Sequence, residues 1–205
     1  MGSTKLLKNA LKESESWKVV KKSNTGTVKP GRLGFCPKTV YRTDLEVNVS
    51  VREVVNVIAD KSLEHLPKWN KEYMNGSVLK VISESDSLAE WLIHVQYATP
   101  GPLSNREYIY YFSREWISDD EALILYCSVN HEKPIPNGFE RALLYPTVHR
   151  CVSTEKGTKI EHILATDLKG KLGNYQDTLL KGGLVDAHIR DMNNQEKLFK
   201  NLIKI

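Results

Sequence analysis

Residues 88–116 read LAEWLIHVQYATPGPLSNREYIYYFSREW. Two alternating stretches flank a loop rich in Pro, Gly, Ser and Asn, the pattern of antiparallel strands joined by a shaped turn. Successive strand residues point to opposite faces. Trp91, Ile93, Val95 and Tyr97 therefore share one face, and Glu90, Leu92, His94 and Gln96 share the other. On the second strand Arg106, Tyr108, Tyr110 and Phe112 lie opposite Glu107, Ile109 and Tyr111. Both faces of that strand are largely apolar, as in a strand covered on both sides. A buried arginine there must be paired or hydrogen-bonded, because an isolated buried cation is costly. One face reads either as plain core or as the wall of a ligand cavity, where a few polar groups interrupt an apolar concavity.

Further strand-like segments lie on either side. Residues 17–22, 40–49, 77–83, 122–130, 140–153 and 158–167 read as strands, with turn signals at 24–26 and 29–31 and between the later segments. Ser50 and Glu53 form a capping box, and Val51, Val54, Val55 and Ile58 recur on one helical face, predicting a helix that ends near Asp60. A short helix near the N-terminus carries Leu6, Leu7, Ala10 and Leu11 on one stripe. Tyr175, Leu179, Leu180, Leu184, Ile189, Met192, Leu198 and Leu202 predict a long C-terminal helix softened at Gly182-Gly183. The expected class is α+β: one curved antiparallel sheet with a long helix packed against it, as a single domain over residues 1–205.

Composition narrows the function classes. The 205 residues are 40% hydrophobic and 26% charged, ordinary for a soluble globular domain. A net charge of +4 suits contact with anionic membranes, but it is too dispersed to predict nucleic-acid binding. Cys36, Cys127 and Cys151 are too widely spaced for a disulfide framework or a metal site, which predicts a reducing compartment. No apolar run approaches membrane-spanning length, and neither a G-x-S-x-G elbow nor a phosphate loop is present. His65, His94, His131, His149, His162 and His188 are scattered and read as structural residues.

Four motifs, in order, resemble one family. Ser104-Asn105-Arg106-Glu107-Tyr108-Ile109-Tyr110 resembles the S-N-R-D-Y-V-Y strand start of START domains, the lipid-binding family that includes phosphatidylcholine transfer protein. Leu66 to Asn70 resembles its "W-N", Pro136 to Ala142 its "P-x-x-G-x-V-R", and Asp167 to Leu172 its "D-x-x-G-x-I-P". The chain departs from the pattern at Gly173, where Pro is common, and at Tyr175, where Trp is common. An acid–arginine pair found inside several sterol-binding members is missing: Phe112 stands at the arginine position, and the acidic position falls near His94.

The resemblance implies a helix-grip fold with a hydrophobic tunnel between the sheet and the C-terminal helix, holding one lipid. It implies tunnel residues Trp91, His94, Arg106, Tyr108, Tyr110, Phe112, Arg141, Leu180 and Leu184, and a gate built from Pro100, Gly101, Pro102, Gly182 and Gly183. The expected activity is binding and transfer of a phospholipid or sterol-like lipid, with transient membrane contact and without a chemical step, cofactor, metal or nucleic acid. The protein is expected to be a cytoplasmic monomer peripheral to membranes. Two alternatives are a lipid-sensing module and a helix-grip enzyme, cyclase- or hydrolase-like, acting on a hydrophobic substrate. The enzyme needs at least two of His94, His131, His149 and His162 to converge.

Overall fold

A computed structural model describes residues 2–24, 26–99, 102–177 and 181–202. Helix α1 (Gly2–Ser14) leads to β1 (Lys21–Lys22), β2 (Gly26–Leu33) and β3 (Cys36–Val47). Two helices follow, α2 (Val51–Ile58) and the single turn α3 (Leu66–Trp69). The long strands are β4 (Tyr73–Glu84), β5 (Leu88–Tyr97), β6 (Asn105–Ser118) and β7 (Glu121–Ser128). Next come β8 (Phe139–Arg141), β9 (Leu143–Leu144), β10 (Thr147–Thr154), β11 (Gly157–Leu164) and β12 (Thr166–Asp167). The chain finishes with α4 (Gly170–Tyr175) and α5 (Lys181–Leu202).

Nine strands lie in the order β1-β2-β3-β11-β10-β7-β6-β5-β4, with β8 parallel to the start of β6, and β9 pairs with β12. Neighbours along the main path are antiparallel, as the alternation predicts. The register sets Trp91 opposite Phe112, Ile93 opposite Tyr110 and Val95 opposite Tyr108, so these side chains share the inner face. Helices α2 and α5 pack there. Val51, Val54, Val55 and Val57 of α2 and Val185, Met192 and Phe199 of α5 join the same core as Trp91, Tyr110 and Phe112. The α5 residues recur every seven positions, which keeps one seam of the helix on the sheet.

Helix α1 covers the outer face. Leu7, Ala10 and Leu11 pack on Val40, Leu123, Val148 and Ile163, and each fully buried leucine contributes about 1.5–3 kcal/mol. Beneath them Arg42 is buried at 2% exposure. Its guanidinium donates to the Leu11 carbonyl (2.7 Å), Ser14 Oγ (3.0 Å), Asp44 (2.8 Å) and Glu161 (2.6 Å).

The capping box forms as expected: the Glu53 amide donates to Ser50 Oγ (3.3 Å), and Glu53 Oε2 accepts from the Ser50 amide (2.9 Å). Elsewhere several boundaries move, and Tyr175, expected on the long C-terminal helix, lies in the separate α4. The strand expected over 17–22 shrinks to Lys21–Lys22. Pro30-Gly31 is not a turn but lies within β2, where Pro30 opposes Tyr41; proline fits where no ladder hydrogen bond is required of its nitrogen, as on the stretch of β2 beyond its pairing with β1. The strand expected over 140–153 breaks into β8, β9 and β10, because Leu143 and Leu144 turn aside to pair with β12 before Pro146.

Gly157 opens β11 at φ +126°, and a Cβ there would lie 2.3 Å from the Val47 carbonyl oxygen. Both strain and backbone overlap oppose any side chain. Gly157→Ala is therefore expected to lower the unfolding free energy by about 2 kcal/mol or more, measured by urea denaturation.

Candidate functional site

The inner face carries a belt of rings. Trp91 and Phe112 stack at 4.7 Å, Phe112 meets Tyr126 edge-on at 5.4 Å, and Tyr126 meets His149 at 5.6 Å. His149 and His162, directly opposed on β10 and β11, stack at 3.8 Å. Tyr110 joins Tyr126 at 5.7 Å, while Tyr73, Tyr97 and Tyr108 form a second edge-on series. From the helix side His188 meets Tyr41 at 4.8 Å. Offset and edge-on contacts of this kind add about 0.5–1.5 kcal/mol each beyond area burial.

The belt is polar but uncharged. Burial pushes the His149 ring down to about 3 and the His188 ring to about 4, with Arg190 contributing at His188. Burial and then the neighbouring His149 and His188 hold His162 well below its ordinary range. Desolvation also pushes the Tyr110 and Tyr126 hydroxyls up and the Cys151 thiol up to about 12. All these groups are neutral at pH 7. Tyr41 Oη, Trp91 Nε1, His149 Nδ1 and His188 Nε2 are buried without a hydrogen-bond partner. Orphaned polar atoms are uncommon in protein interiors and call for an explanation.

Toward the β4–β5 and β6–β7 tips this face opens into a groove of about 1080 Å³ beside α2. Trp91, Trp116 and Ala89 supply its apolar wall, and Arg52 lies 5.2 Å over the Trp116 ring. Arg52, Lys61 and Arg114 face Asp60, Glu84, Asp86 and Asp119 across it, three cations to four anions. That balance does not favour an anionic ligand.

The expected site residues divide. Trp91, Tyr108, Tyr110 and Phe112 are on the inner face, and Leu184 packs against the same core. Arg106 is buried, but its guanidinium is consumed by backbone carbonyls: Leu168 (2.5 Å), Asn105 and Lys169 (3.3 Å each), and Ser104. It ties β6 to the segment before α4. His94 and Arg141 do not join the belt. Strand alternation turns His94 to the opposite face, where its Nε2 donates to Glu107 at 2.8 Å, and Arg141 Nε donates to the other Glu107 oxygen at 2.8 Å. Glu107 is wholly buried, and its carboxylate ties His94 and Arg141 together as a clamp. Pro102, Gly182 and Gly183 are exposed, and both glycines lie within α5. Pro100, Gly101 and Leu180 lie outside the described residues.

Sequence reading missed Tyr41, Tyr126 and His188 as inward residues. For Tyr126 the signal was present: the alternation that buries Ala122 and Ile124 also turns it inward. Among the four histidines weighed for catalysis, only His149 and His162 meet; His131 is exposed in a loop.

A large curved antiparallel sheet that grips a C-terminal helix defines a helix-grip domain. The START domain family model matches residues 3–194, and the chain belongs to the START family. Human StAR-related lipid transfer protein 5 superposes with TM-score 0.80 at 19% identity, covering 98% of this chain and 95% of that one. Human STARD10 superposes at 0.71 with 18% identity over 93% and 78% of the two chains. A STAR-related lipid transfer protein from Xanthomonas axonopodis gives 0.69 at 15% identity over 90% and 98%. At these identities the likeness concerns the fold. No curated protein sequence matches the chain.

Proposed function

We propose that this protein binds one lipid between the inner face of its sheet and helix α5 and exchanges it with membranes without a chemical step. Family membership supports lipid binding in general. The observation that carries the reading for this chain is the inner face itself: an aromatic wall interrupted by neutral polar atoms that lack partners. Such a lining accepts acyl or ring carbon, and each buried CH₂ contributes about 0.8 kcal/mol. Exchange requires the interior to open. Pro102 and the start of α5 at Gly182-Gly183, all exposed, are the proposed gate. Helix α5 is held by its buried seam, by Leu184, Ile189 and Leu198 packed beside it, and by partly exposed pairs such as Lys21–Asp186 and Arg190–Glu72. Exposed ion pairs of that kind are individually weak, which suits a reversible lid. The unpaired cysteines fit a cytoplasmic protein peripheral to membranes.

The test is transfer of a fluorescent phospholipid or sterol from quenched donor vesicles to acceptor vesicles. A rate that rises in proportion to protein concentration is expected. Binding without transfer would instead point to a lipid-sensing role.

The stacked His149–His162 pair favours one second reading, a helix-grip enzyme. Against it, the nearby Cys151 is held protonated and no activated nucleophile accompanies the pair among the described residues. Lipids recovered chemically unchanged after prolonged incubation would exclude it.

A further inference from the structure

The orphaned polar atoms are not spread evenly over the interior. Three of them, Tyr41 Oη, His149 Nδ1 and His188 Nε2, belong to one connected group. Tyr41 touches His188, with ring centroids 4.8 Å apart. His149 stacks on His162. In the β3–β11 pairing Leu164 faces Tyr41 and His162 faces Thr43, so Tyr41 and His162 are diagonal neighbours on the same face. Tyr41 is 1% exposed and His149 6%, so bulk water does not supply the missing bonds. The group is assembled from three separate parts of the fold: β3, the β10–β11 hairpin and α5.

The chemistry of the group selects its ligand. A neutral imidazole offers one donor and one acceptor, and a phenol offers both on one oxygen. The complement is a group that also both donates and accepts, namely an alcohol. A phosphate or carboxylate is a poor fit, because a buried anion needs a cation or several donors. The charges nearest the group are already paired: Arg190 with Glu72 (2.7 Å) and Asp191 (3.1 Å), and Arg32 with Asp177 (3.0 Å). Arg42 points to the other face of the sheet, beneath α1.

We propose that Tyr41, His149, His162 and His188 form a polar subsite that receives the uncharged hydroxyl of a lipid, so that the protein selects hydroxyl-bearing neutral lipids over those with charged headgroups. This deepens the lipid-binding reading and rests on it. The hydrocarbon lies along the aromatic belt, and the hydroxyl completes the bonds that the protein leaves open.

The experiment incubates the full chain with phosphatidylcholine vesicles containing equal small amounts of dioleoylglycerol, cholesterol and dioleoylphosphatidylserine. Native mass spectrometry then reads which lipid each protein molecule carries. Dioleoylglycerol, cholesterol or both are expected at least tenfold above their share of the vesicle, and phosphatidylserine at or below its share. Tyr41→Phe and His188→Phe are expected to reduce that enrichment several-fold. Because Tyr41 Oη has no partner within the protein, Tyr41→Phe is expected to leave the melting temperature unchanged or raised, which separates loss of recognition from loss of fold. Uptake of all lipids in proportion to their abundance, preference for phosphatidylserine, or unchanged selectivity in a folded Tyr41→Phe protein would overturn the subsite while leaving lipid binding standing. A wild-type protein that takes up no lipid would overturn both.

Discussion

Replacing Glu107 by alanine is expected to lower the unfolding free energy by about 3–5 kcal/mol, the scale measured when one partner of a buried ion pair is removed. The Glu107 carboxylate is wholly buried and accepts from Arg141 on one oxygen and from His94 on the other. Its backbone carbonyl also accepts from the Ala142 amide. Without the carboxylate, the Arg141 guanidinium keeps its bond to the Lys133 carbonyl but loses its counter-charge in a largely buried position. The clamp joins β5, β6 and β8, so its loss also loosens the parallel pairing at the start of β6. Glu84→Ala is the control. Glu84 pairs with Lys61 where both are nearly half exposed, and such a pair contributes less than about 1 kcal/mol. Urea denaturation of the two variants should differ severalfold in effect. Equal small effects would mean that Glu107 is not the joint described above.

Acid is expected to destabilise the protein well before its carboxylates are protonated in bulk. In the unfolded chain the histidines titrate near 6.5. In the folded protein burial pushes His149 to about 3 and His188 to about 4, and holds His162 low. Below pH 6.5 the unfolded state therefore binds more protons, and stability falls as pH falls. The loss accumulates down to the folded values. For His149 alone it amounts to about 2 kcal/mol at pH 5, using 1.4 kcal/mol per pH unit. Since a charge on any one ring opposes charging the others, the three act as a coupled set. Asp191 works in the opposite direction. Burial pushes its carboxyl up to about 6, so the folded state gains its proton first and stability from this group rises between pH 6 and about 4. Three histidines against one aspartate leave a net loss. The melting temperature should drop between pH 7 and pH 5, and His149→Phe should flatten that slope. An unchanged slope in the variant would show that the belt is not the source.

Local signals carried much of the fold. The Ser50–Glu53 box needs only four residues, and it formed as expected. The faces of β5 and β6 followed from alternation, and their register placed Trp91 on Phe112. What alternation cannot say is which face looks toward α5. His94 was expected in the tunnel and lies on the other face, because a strand of mixed polarity gives no absolute direction. Arg141 was misplaced for a related reason: its partner Glu107 is set by a parallel pairing between distant segments, which leaves no periodic trace. A carboxylate on an otherwise apolar face was the visible hint that a cation would meet it. The Tyr41–His188 contact joins an early strand to the last helix, and nothing in either segment alone announces it. The START-like motifs gave the order of the elements but not these contacts.

The lipid content of the protein itself tests the central claim most directly. The chain is incubated with vesicles, re-isolated by gel filtration, denatured and extracted, and lipid is quantified against protein. One lipid per chain, chemically intact, is the predicted result. Protein re-isolated free of lipid after exposure to phospholipid, diacylglycerol and sterol vesicles would contradict it.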